Sequence, residues 1–248
     1  MRMGRMGKDT HMKSLAAPRT YRIKRSRSGR VFVARPLPGP HRLELSLPLC
    51  LVLRDLVKAA ETARESKAII KSGKVMVDGA TVHEPKWPVG LMDVISMHGV
   101  EEKFRILVNR KGQLVSVKVP ETEAVLKPCK VSRKYVSRGG SLRAVFHDGH
   151  EIPVQPEIAN INIGDSVLLE LPSLKVREVA RLVVGSIGYC FKGKSSGLYG
   201  KIENITRPAF KRPSMVSLRT PGGELITTIK DYVFVVGSND PWISLEVV

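Results

Sequence analysis

Thr62-Ala-Arg-Glu-Ser-Lys-Ala-Ile-Ile-Lys-Ser-Gly-Lys-Val-Met-Val-Asp-Gly79 is the stretch that decides the fold of this chain. Thr62 and Glu65 form a Thr-x-x-Glu capping box, which predicts a helix starting just after Thr62. Gly73 is the residue type favoured just past a helix C-terminus, so the helix is expected to end there. The alternating valines that follow predict a short strand, and Asp78-Gly79 predicts a hairpin turn into a second strand. The stretch therefore encodes a helix followed by a β-hairpin.

The predicted helix has one basic face. At the helical period, Arg64, Lys67 and Lys71 lie within about 60° of one another, whereas Ile69 and Ile70 point away from them. One face can pack while the other meets phosphates. The alternative is that the three cations are an ordinary solvated face.

A second amphipathic helix precedes this one. Residues 48–60 place their apolar side chains on one face, with Leu51 as the exception; that face contains Leu49, Val52, Leu53, Leu56, Val57 and Ala60. Downstream, residues 80–83 and 91–96 are predicted as further strands. Two short helices closed by a small sheet predict a compact unit over residues 43–100.

The remainder of the chain predicts short strands separated by turns. They are expected at residues 104–108, 113–119, 129–136, 141–146, 167–171, 224–229 and 232–236. Such spacing is typical of small barrels. A boundary near Pro172 would divide a central β domain, 101–172, from a C-terminal unit, 173–248. The expected fold is therefore an α+β multidomain protein.

The charge of the chain points to a polyanionic partner. The 248 residues carry 41 Lys and Arg against 23 Asp and Glu, a formal charge of +18, and nucleic acid is the commonest partner for such a protein. Aromatic residues are only 5%, so phosphate contacts and RNA shape must dominate over base stacking. No apolar run approaches the ~20 residues that span a bilayer. The first residues show no apolar h-region, so secretion is not expected. Cys50, Cys129 and Cys190 show no Cys-x-x-Cys pair, which argues against disulfides and a zinc site.

Much of this charge lies at the N-terminus. Residues 1–42 contain twelve basic residues and only Asp9 as an acid, a net +11. They show little periodicity, which predicts an extended arm that becomes ordered on its partner. A mitochondrial transit peptide is the competing interpretation, but Gly4, Gly7 and Pro18 interrupt any amphipathic helix.

No motif predicts catalysis. Gly188-Tyr-Cys-Phe-Lys-Gly-Lys-Ser195 matches the P-loop pattern, but the glycine-rich residues after it are poor helix material, and a P-loop requires a helix there. Asp93 is interpreted as a turn-stabilising carboxylate rather than a general base. His147 and His150 are interpreted as parts of an exposed Asp-Gly turn rather than as metal ligands.

Several segments together resemble a known family. The helix pair and hairpin resemble the S4 RNA-binding domain, and Gly193, Gly197 and Gly200 before Lys201 resemble the KOW motif, a loop and strand of an SH3-like barrel. More specific segments extend the resemblance in one order from about residue 14 to 245. They are Ala16-Ala-Pro18, Arg35-Pro36, Gly39-Pro-His-Arg-Leu43, Leu47-Pro-Leu49, Gly90-Leu-Met-Asp-Val-Ile95, Lys127-Pro-Cys-Lys-Val131 and Asn239-Asp-Pro-Trp-Ile-Ser-Leu245. The chain is identified as a member of the eukaryotic and archaeal small-subunit ribosomal protein family S4e.

This resemblance implies a structural role with no catalytic activity, cofactor, metal or small-molecule substrate. The partners would be small-subunit ribosomal RNA and neighbouring ribosomal proteins, with no membrane. The location would be the cytoplasmic ribosome, with assembly in the nucleolus if the source is eukaryotic. The predicted RNA-binding residues are, on the arm, Arg22, Lys24, Arg25, Arg27 and Arg30; on the S4 surface, Arg54, Lys58, Arg64, Lys67, Lys71 and Lys74; and on the KOW loop, Lys192, Lys194 and Lys201.

Two other function classes remain open from the residues alone. An RNA-modifying enzyme with an appended S4 domain would need a further catalytic domain with convergent polar groups, and no such cluster is evident. A translation or transcription factor that uses the same modules off the ribosome differs from a ribosomal protein only through the full-length resemblance.

Overall fold

The structure, a computed structural model, describes residues 12–25, 31–154, 160–206 and 213–245. Helices within these residues are few and short. They are α1 (Leu49–Leu51), which continues into a π-helical turn (Val52–Leu56), α2 (Ala63–Lys71) and α3 (Glu121–Ala124). Short 3-10 turns lie at Ser14–Ala16, Leu43–Leu45 and Lys230–Tyr232. The described part is mostly β, so helices contribute less than the α+β prediction implied.

The strands form antiparallel sheets. Up to residue 119 they are β1 (Met12–Lys13), β2 (Phe32–Val33), β3 (Ser46–Pro48), β4 (Val75–Val77), β5 (Ala80–Thr81), β6 (Pro88–Gly90), β7 (Val94–Met97), β8 (Val100–Val108) and β9 (Leu114–Val119). Beyond it they are β10 (Leu126–Val136), β11 (Leu142–Phe146), β12 (Glu151–Pro153), β13 (Ser166–Glu170), β14 (Lys175–Ala180), β15 (Ile187–Cys190), β16 (Tyr199–Ile205), β17 (Met215–Arg219), β18 (Leu225–Ile229) and β19 (Val233–Gly237).

Helix α2 and the hairpin after it form where the sequence predicts them. The Thr62 hydroxyl accepts a hydrogen bond from the Glu65 N–H at 3.1 Å. The Glu65 carboxylate accepts from the N–H of Glu61, one residue before the position expected for a capping box. Gly73 ends the helix at φ +73°, a conformation that glycine adopts at low cost. The predicted start and end of the helix are therefore confirmed. The second hydrogen bond of the capping box forms with Glu61 instead of Thr62.

The first helix is shorter than the predicted 48–60. Its apolar face is confirmed, because Leu49, Val52 and Leu53 are completely buried. The chain widens into a π-helical turn, in which the Val57 N–H bonds the Val52 carbonyl at 2.9 Å. Lys58 then takes a φ of +60°, which ends the helix. The spacing of apolar residues does not predict that Lys58 adopts a left-handed conformation, so the early end of the helix could not be predicted from it.

The first large sheet has the strand order β5-β4-β7-β8-β9. Strands β7 and β8 pair directly, with Met97 opposite Val100. The boundary predicted at residue 100 falls inside a tight hairpin, and the sheet on its N-terminal side continues to Val119. The strand predicted at 91–96 begins only at Val94, since Met92 at φ +69° makes a turn just before it.

The second sheet has the order β12-β11-β10-β13-β14. Strands β13 and β14 pair from Ser166 opposite Ala180 to Glu170 opposite Lys175. The boundary predicted at residue 172 falls inside this hairpin, and the central sheet continues to Ala180. Turn signals look the same in sequence whether they join paired strands or separate two domains.

The third sheet has the order β18-β17-β16-β15-β19 and begins at Ile187. It is joined to the first sheet through the hydroxyl of Tyr189, which donates to the Val108 carbonyl at 2.7 Å and accepts from the Val108 N–H at 2.8 Å. Tyr189 and Phe234 belong to the same hydrophobic cluster as Leu49 and Ile70. One core therefore connects the first and last sheets.

The described N-terminal residues pack against this core. Met12, Ala17 and Tyr21 are buried members of it, and the Thr20 carbonyl accepts from the Leu114 N–H on the edge strand β9. The sequence predicts an extended arm here; in the structure a few well-spaced apolar side chains hold this irregular segment on the core.

Candidate nucleic-acid interface

The basic face of α2 is exposed as predicted. Arg64, Lys67 and Lys71 are all exposed, while Ile70 is completely buried and Ile69 is half-buried. None of the three cations forms an ion pair with a carboxylate of the described residues. The helix therefore presents a row of uncompensated positive charge, a surface suited to a phosphate backbone.

The flanking cations of this surface differ in their availability. Lys58 and Lys74, which flank α2, are exposed and have no carboxylate partner among the described residues. Arg54 instead forms a bidentate pair with Asp55, with both N–O distances at 2.6 Å. Hydrogen bonding to Asp55 raises the pKa of Arg54. Five of the six predicted cations are therefore exposed and have no carboxylate partner among the described residues. The sixth, Arg54, is neutralised by its neighbour Asp55.

The loop between β15 and β16 carries the C-terminal candidates. Lys194 is exposed in this loop and Lys201 is exposed on β16. Lys192 pairs with Glu44 at 3.0 Å and lies 5.8 Å from the centre of the Tyr232 ring. The P-loop pattern spans a strand, this loop and the start of a further turn, and the next element is β16 rather than a helix. The phosphate cradle of a P-loop is therefore missing from this segment.

The N-terminal candidates fall into three groups. Arg22 and Lys24 are exposed. Arg25 is a structural residue, since its guanidinium donates to the carbonyls of Ala17, at 2.7 Å, and of Pro18. Arg27 and Arg30 lie outside the described residues.

The fold also contains a buried charge cluster that the sequence does not predict. The Lys127 ammonium, with its side chain only 1% exposed, lies 2.6 Å from Asp78, 2.7 Å from Asp93 and 2.9 Å from Asp148. Burial alone would lower the pKa of Lys127, but the three carboxylates raise it well above its usual value. Burial also raises the pKa of Asp78 to about 6. The four residues come from different loops and strands, so only the folded topology brings them together.

His41 attaches the N-terminal segment to this cluster. Its Nε2 lies 2.8 and 2.9 Å from the two carboxylate oxygens of Asp93. Asp93 also accepts from the Gly90 N–H at 2.8 Å, so its interpretation as a turn-stabilising carboxylate is confirmed in part. Burial alone would raise the pKa of Asp93, but His41 and Lys127 lower it. A Cβ on Gly90 would lie 2.3 Å from the His41 ring, so the glycine makes room for that ring.

The interpretation of His147 as part of an exposed turn is wrong. Its Nδ1 accepts from the Lys130 N–H at 3.3 Å and its Nε2 lies 3.1 Å from the Leu91 carbonyl. Burial lowers the pKa of His147 to about 4, so the ring is neutral. Cys129 and Asp148 lie close enough to share a cation with it. However, both His147 nitrogens are engaged and Asp148 already binds Lys127, so these atoms fit the charge cluster better than a metal site.

The comparisons with known proteins extend along the whole chain. Models of the RS4NT (NUC023) domain, the S4 domain and the ribosomal family S4e match residues 6–44, 56–95 and 100–176. The small ribosomal subunit protein eS4 of Methanocaldococcus jannaschii is 41% identical over 249 residues, which cover 98% of this chain and 100% of the relative. The chain belongs to the ribosomal protein family S4e.

Further S4e relatives agree with this assignment. The eS4 protein of Methanopyrus kandleri is 34% identical over 258 residues, covering 99% of both chains. The crystal structure of the 30S ribosomal protein S4e from Thermoplasma acidophilum superposes with a TM-score of 0.68 at 30% identity, over 80% of this chain and 99% of that one. S4e is a family of ribosomal structural proteins rather than of enzymes. No helix in the described ranges has both the length and the apolar character of a bilayer span.

Proposed function

We propose that this S4e chain is a structural constituent of the small ribosomal subunit that binds ribosomal RNA (rRNA) and supports subunit assembly and translation. The observation that carries the proposal is the exposed, uncompensated basic face of α2, formed by Arg64, Lys67 and Lys71, in a chain that matches its S4e relatives almost end to end. Each lysine or arginine that meets a phosphate releases condensed counterions, which favours binding.

The S4 surface extends beyond α2. Lys58 and Lys74 flank the helix and are exposed, so they would contact the same RNA segment. Arg54 would contribute less, because Asp55 already occupies its guanidinium fork. The Asp55 carboxylate uses two of the five N–H donors of Arg54 and offsets its positive charge, which weakens its attraction to a phosphate.

The C-terminal sheet would provide a second RNA contact. A five-stranded antiparallel sheet with a glycine-rich loop before β16 supports the assignment of a KOW-type, SH3-like barrel. Its candidate RNA-binding residues are Lys192, Lys194 and Lys201. Arg22 and Lys24, together with Arg27 and Arg30, would supply the N-terminal contacts, while Arg25 would hold that segment in shape.

Neighbouring ribosomal proteins complete the proposed set of partners, and the role requires no cofactor and no small-molecule substrate. The site of action is the ribosome, in the cytoplasm. In a eukaryotic source, assembly would begin in the nucleolus.

Sedimentation tests the proposal directly. A tagged copy of the chain should co-sediment with small subunits and polysomes in a sucrose gradient and should remain there after a wash that removes loosely bound factors. The control is a tagged cytoplasmic protein of similar charge. Recovery of the chain mainly in the soluble pool would support a factor that acts off the ribosome instead.

A further inference from the structure

The hairpin between β8 and β9 has a rigid tip. The Asn109 side chain accepts from the N–H groups of Lys111 at 3.0 Å and Gln113 at 2.9 Å. The Gly112 N–H bonds the Asn109 carbonyl at 2.9 Å, and Gly112 has a φ of +73°. The two residues between them, Arg110 and Lys111, are exposed. The fold therefore holds two adjacent cations at a defined position.

This tip contacts the loop between β15 and β16. A Cβ added to Gly197 would lie 2.6 Å from the Asn109 carbonyl carbon and 2.7 Å from the Arg110 nitrogen. Real Cβ atoms do not approach backbone so closely, so Gly197 is the residue that lets the hairpin and the loop touch. The Tyr189–Val108 hydrogen bonds lie at the base of the same contact. Two segments that are almost ninety positions apart in sequence thus form one surface.

The charge of this joint surface is strongly positive. Arg110, Lys111 and Lys194 have no carboxylate partner among the described residues. Glu44, which approaches from the N-terminal segment, is already paired with Lys192. Backbone phosphates, which carry one charge per nucleotide and need no particular base, are the ligand that fits such a surface.

We infer that Arg110 and Lys111 bind rRNA phosphates alongside Lys194, as one surface built across the contact of the first and third sheets. This inference rests on the proposed function and adds two residues and a geometry to it. Because the tip and the loop touch, both should contact one continuous RNA segment rather than two separate ones.

The test measures binding of the full chain to protein-free small-subunit rRNA over a series of salt concentrations. Each lost phosphate contact removes roughly 0.7 to 0.9 from the slope of log affinity against log salt. R110A/K111A should therefore reduce the slope by about 1.4 to 1.8, and R110K/K111R, which keeps both charges, should restore it. The matched control is K118A/R177A, which loses the same two charges at exposed residues already paired with Glu102 and Glu170; its slope should not change.

Hydroxyl-radical footprinting of the same complexes tests whether the surface is continuous. Protections lost in R110A/K111A and in K194A should fall on overlapping or adjacent nucleotides. If the unaltered chain shows no preference for small-subunit rRNA over an unrelated RNA of equal length, the proposed function itself fails. If it binds, but R110A/K111A behaves as the control does or loses protection on a distant RNA segment, only the present inference is overturned.

Discussion

Lys127 shows at the scale of single residues how this fold uses buried charge. Its ammonium contacts three carboxylates in turns beside the first and second sheets, and His41 links the N-terminal segment to one of them. Burying charges is costly, and breaking such a set by removing one member costs more than the set contributes as a whole. The cluster therefore acts as a joint that is stable only when all its members are present.

Replacing Lys127 by methionine should destabilise the protein strongly. Lys127→Met keeps a long apolar stem but leaves Asp78, Asp93 and Asp148 buried without their cation, at an expected cost of about 3–5 kcal/mol in urea unfolding at neutral pH. The carboxylates should then bind protons in the folded state, so the deficit should shrink as the pH is lowered. Lys118→Met, at an exposed pair with Glu102, should cost no more than about 1 kcal/mol. Equal losses of stability in the two variants would show that the buried cluster does not depend on its lysine.

His147 should make stability fall in mild acid. Its pKa is about 4 in the fold because the ring is buried, whereas an unfolded histidine has a pKa near 6.5. The unfolded state therefore binds more protons below this value, and stability is lost as the pH falls from about 6.5 toward 4. Between pH 7 and pH 5, the free energy of unfolding of the native chain should fall by up to about 2 kcal/mol more than that of the His147→Gln variant. If the free energy of unfolding changed with pH by the same amount in both proteins, the ring would not be held neutral in the fold.

These residues also mark a limit of prediction from sequence. Asp93 could be assigned to a turn because its partner Gly90 is three positions away. Lys127 and His147 could not be placed, because their partners Asp78 and Leu91 lie 49 and 56 positions away. Local patterns report local partners, and only the pairing of strands brings distant ones together.

At the scale of elements, α2 is the part that the sequence describes best. Its cap, its stop and its two faces all follow from spacing within about ten residues, and Thr62, Gly73 and Ile70 occupy the predicted roles. Its neighbour α1 is described less well, since the π-helical turn at Val52–Leu56 and the left-handed Lys58 carry no periodic signal.

The basic face of α2 should matter for RNA and not for folding. R64A/K67A/K71A should change the free energy of unfolding by no more than about 0.5 kcal/mol per residue, because all three side chains are exposed. The same variant should lower the salt slope of rRNA binding by about two. Filter binding and urea unfolding measure the two effects separately.

Two controls accompany this variant. K103A/K118A/R177A removes three charges that are already paired with Glu121, Glu102 and Glu170, and its salt slope should stay unchanged. Ile70→Ala on the opposite face should cost roughly 2–5 kcal/mol of stability. If R64A/K67A/K71A bound rRNA with unchanged affinity and unchanged salt slope, this face of α2 would contact solvent rather than RNA.

At the scale of the whole molecule, the first and third sheets share one hydrophobic core, whereas the second sheet has a cluster of its own. The predicted boundaries at residues 100 and 172 both fall in hairpins, and the largest hydrophobic cluster extends from Met12 to Leu245. Composition and periodicity identify strands and turns, but they do not say which strands pair. For the same reason the surface formed by Arg110, Lys111 and Lys194 could not be predicted.

A shared core predicts that the first and third sheets unfold together. Tyr189→Phe removes the hydroxyl that bonds both backbone groups of Val108, and leaving such groups buried and unpaired costs about 1–3 kcal/mol. Calorimetry should show one transition, shifted to lower temperature as a unit, and hydrogen exchange should speed up in both β8 and β15. Tyr199→Phe, which removes a hydroxyl without a hydrogen bond to any described residue, should leave both unchanged. Two resolved transitions, with only the C-terminal one shifted, would mean that the sheets are stable independently and that the Tyr189 contact merely aligns them.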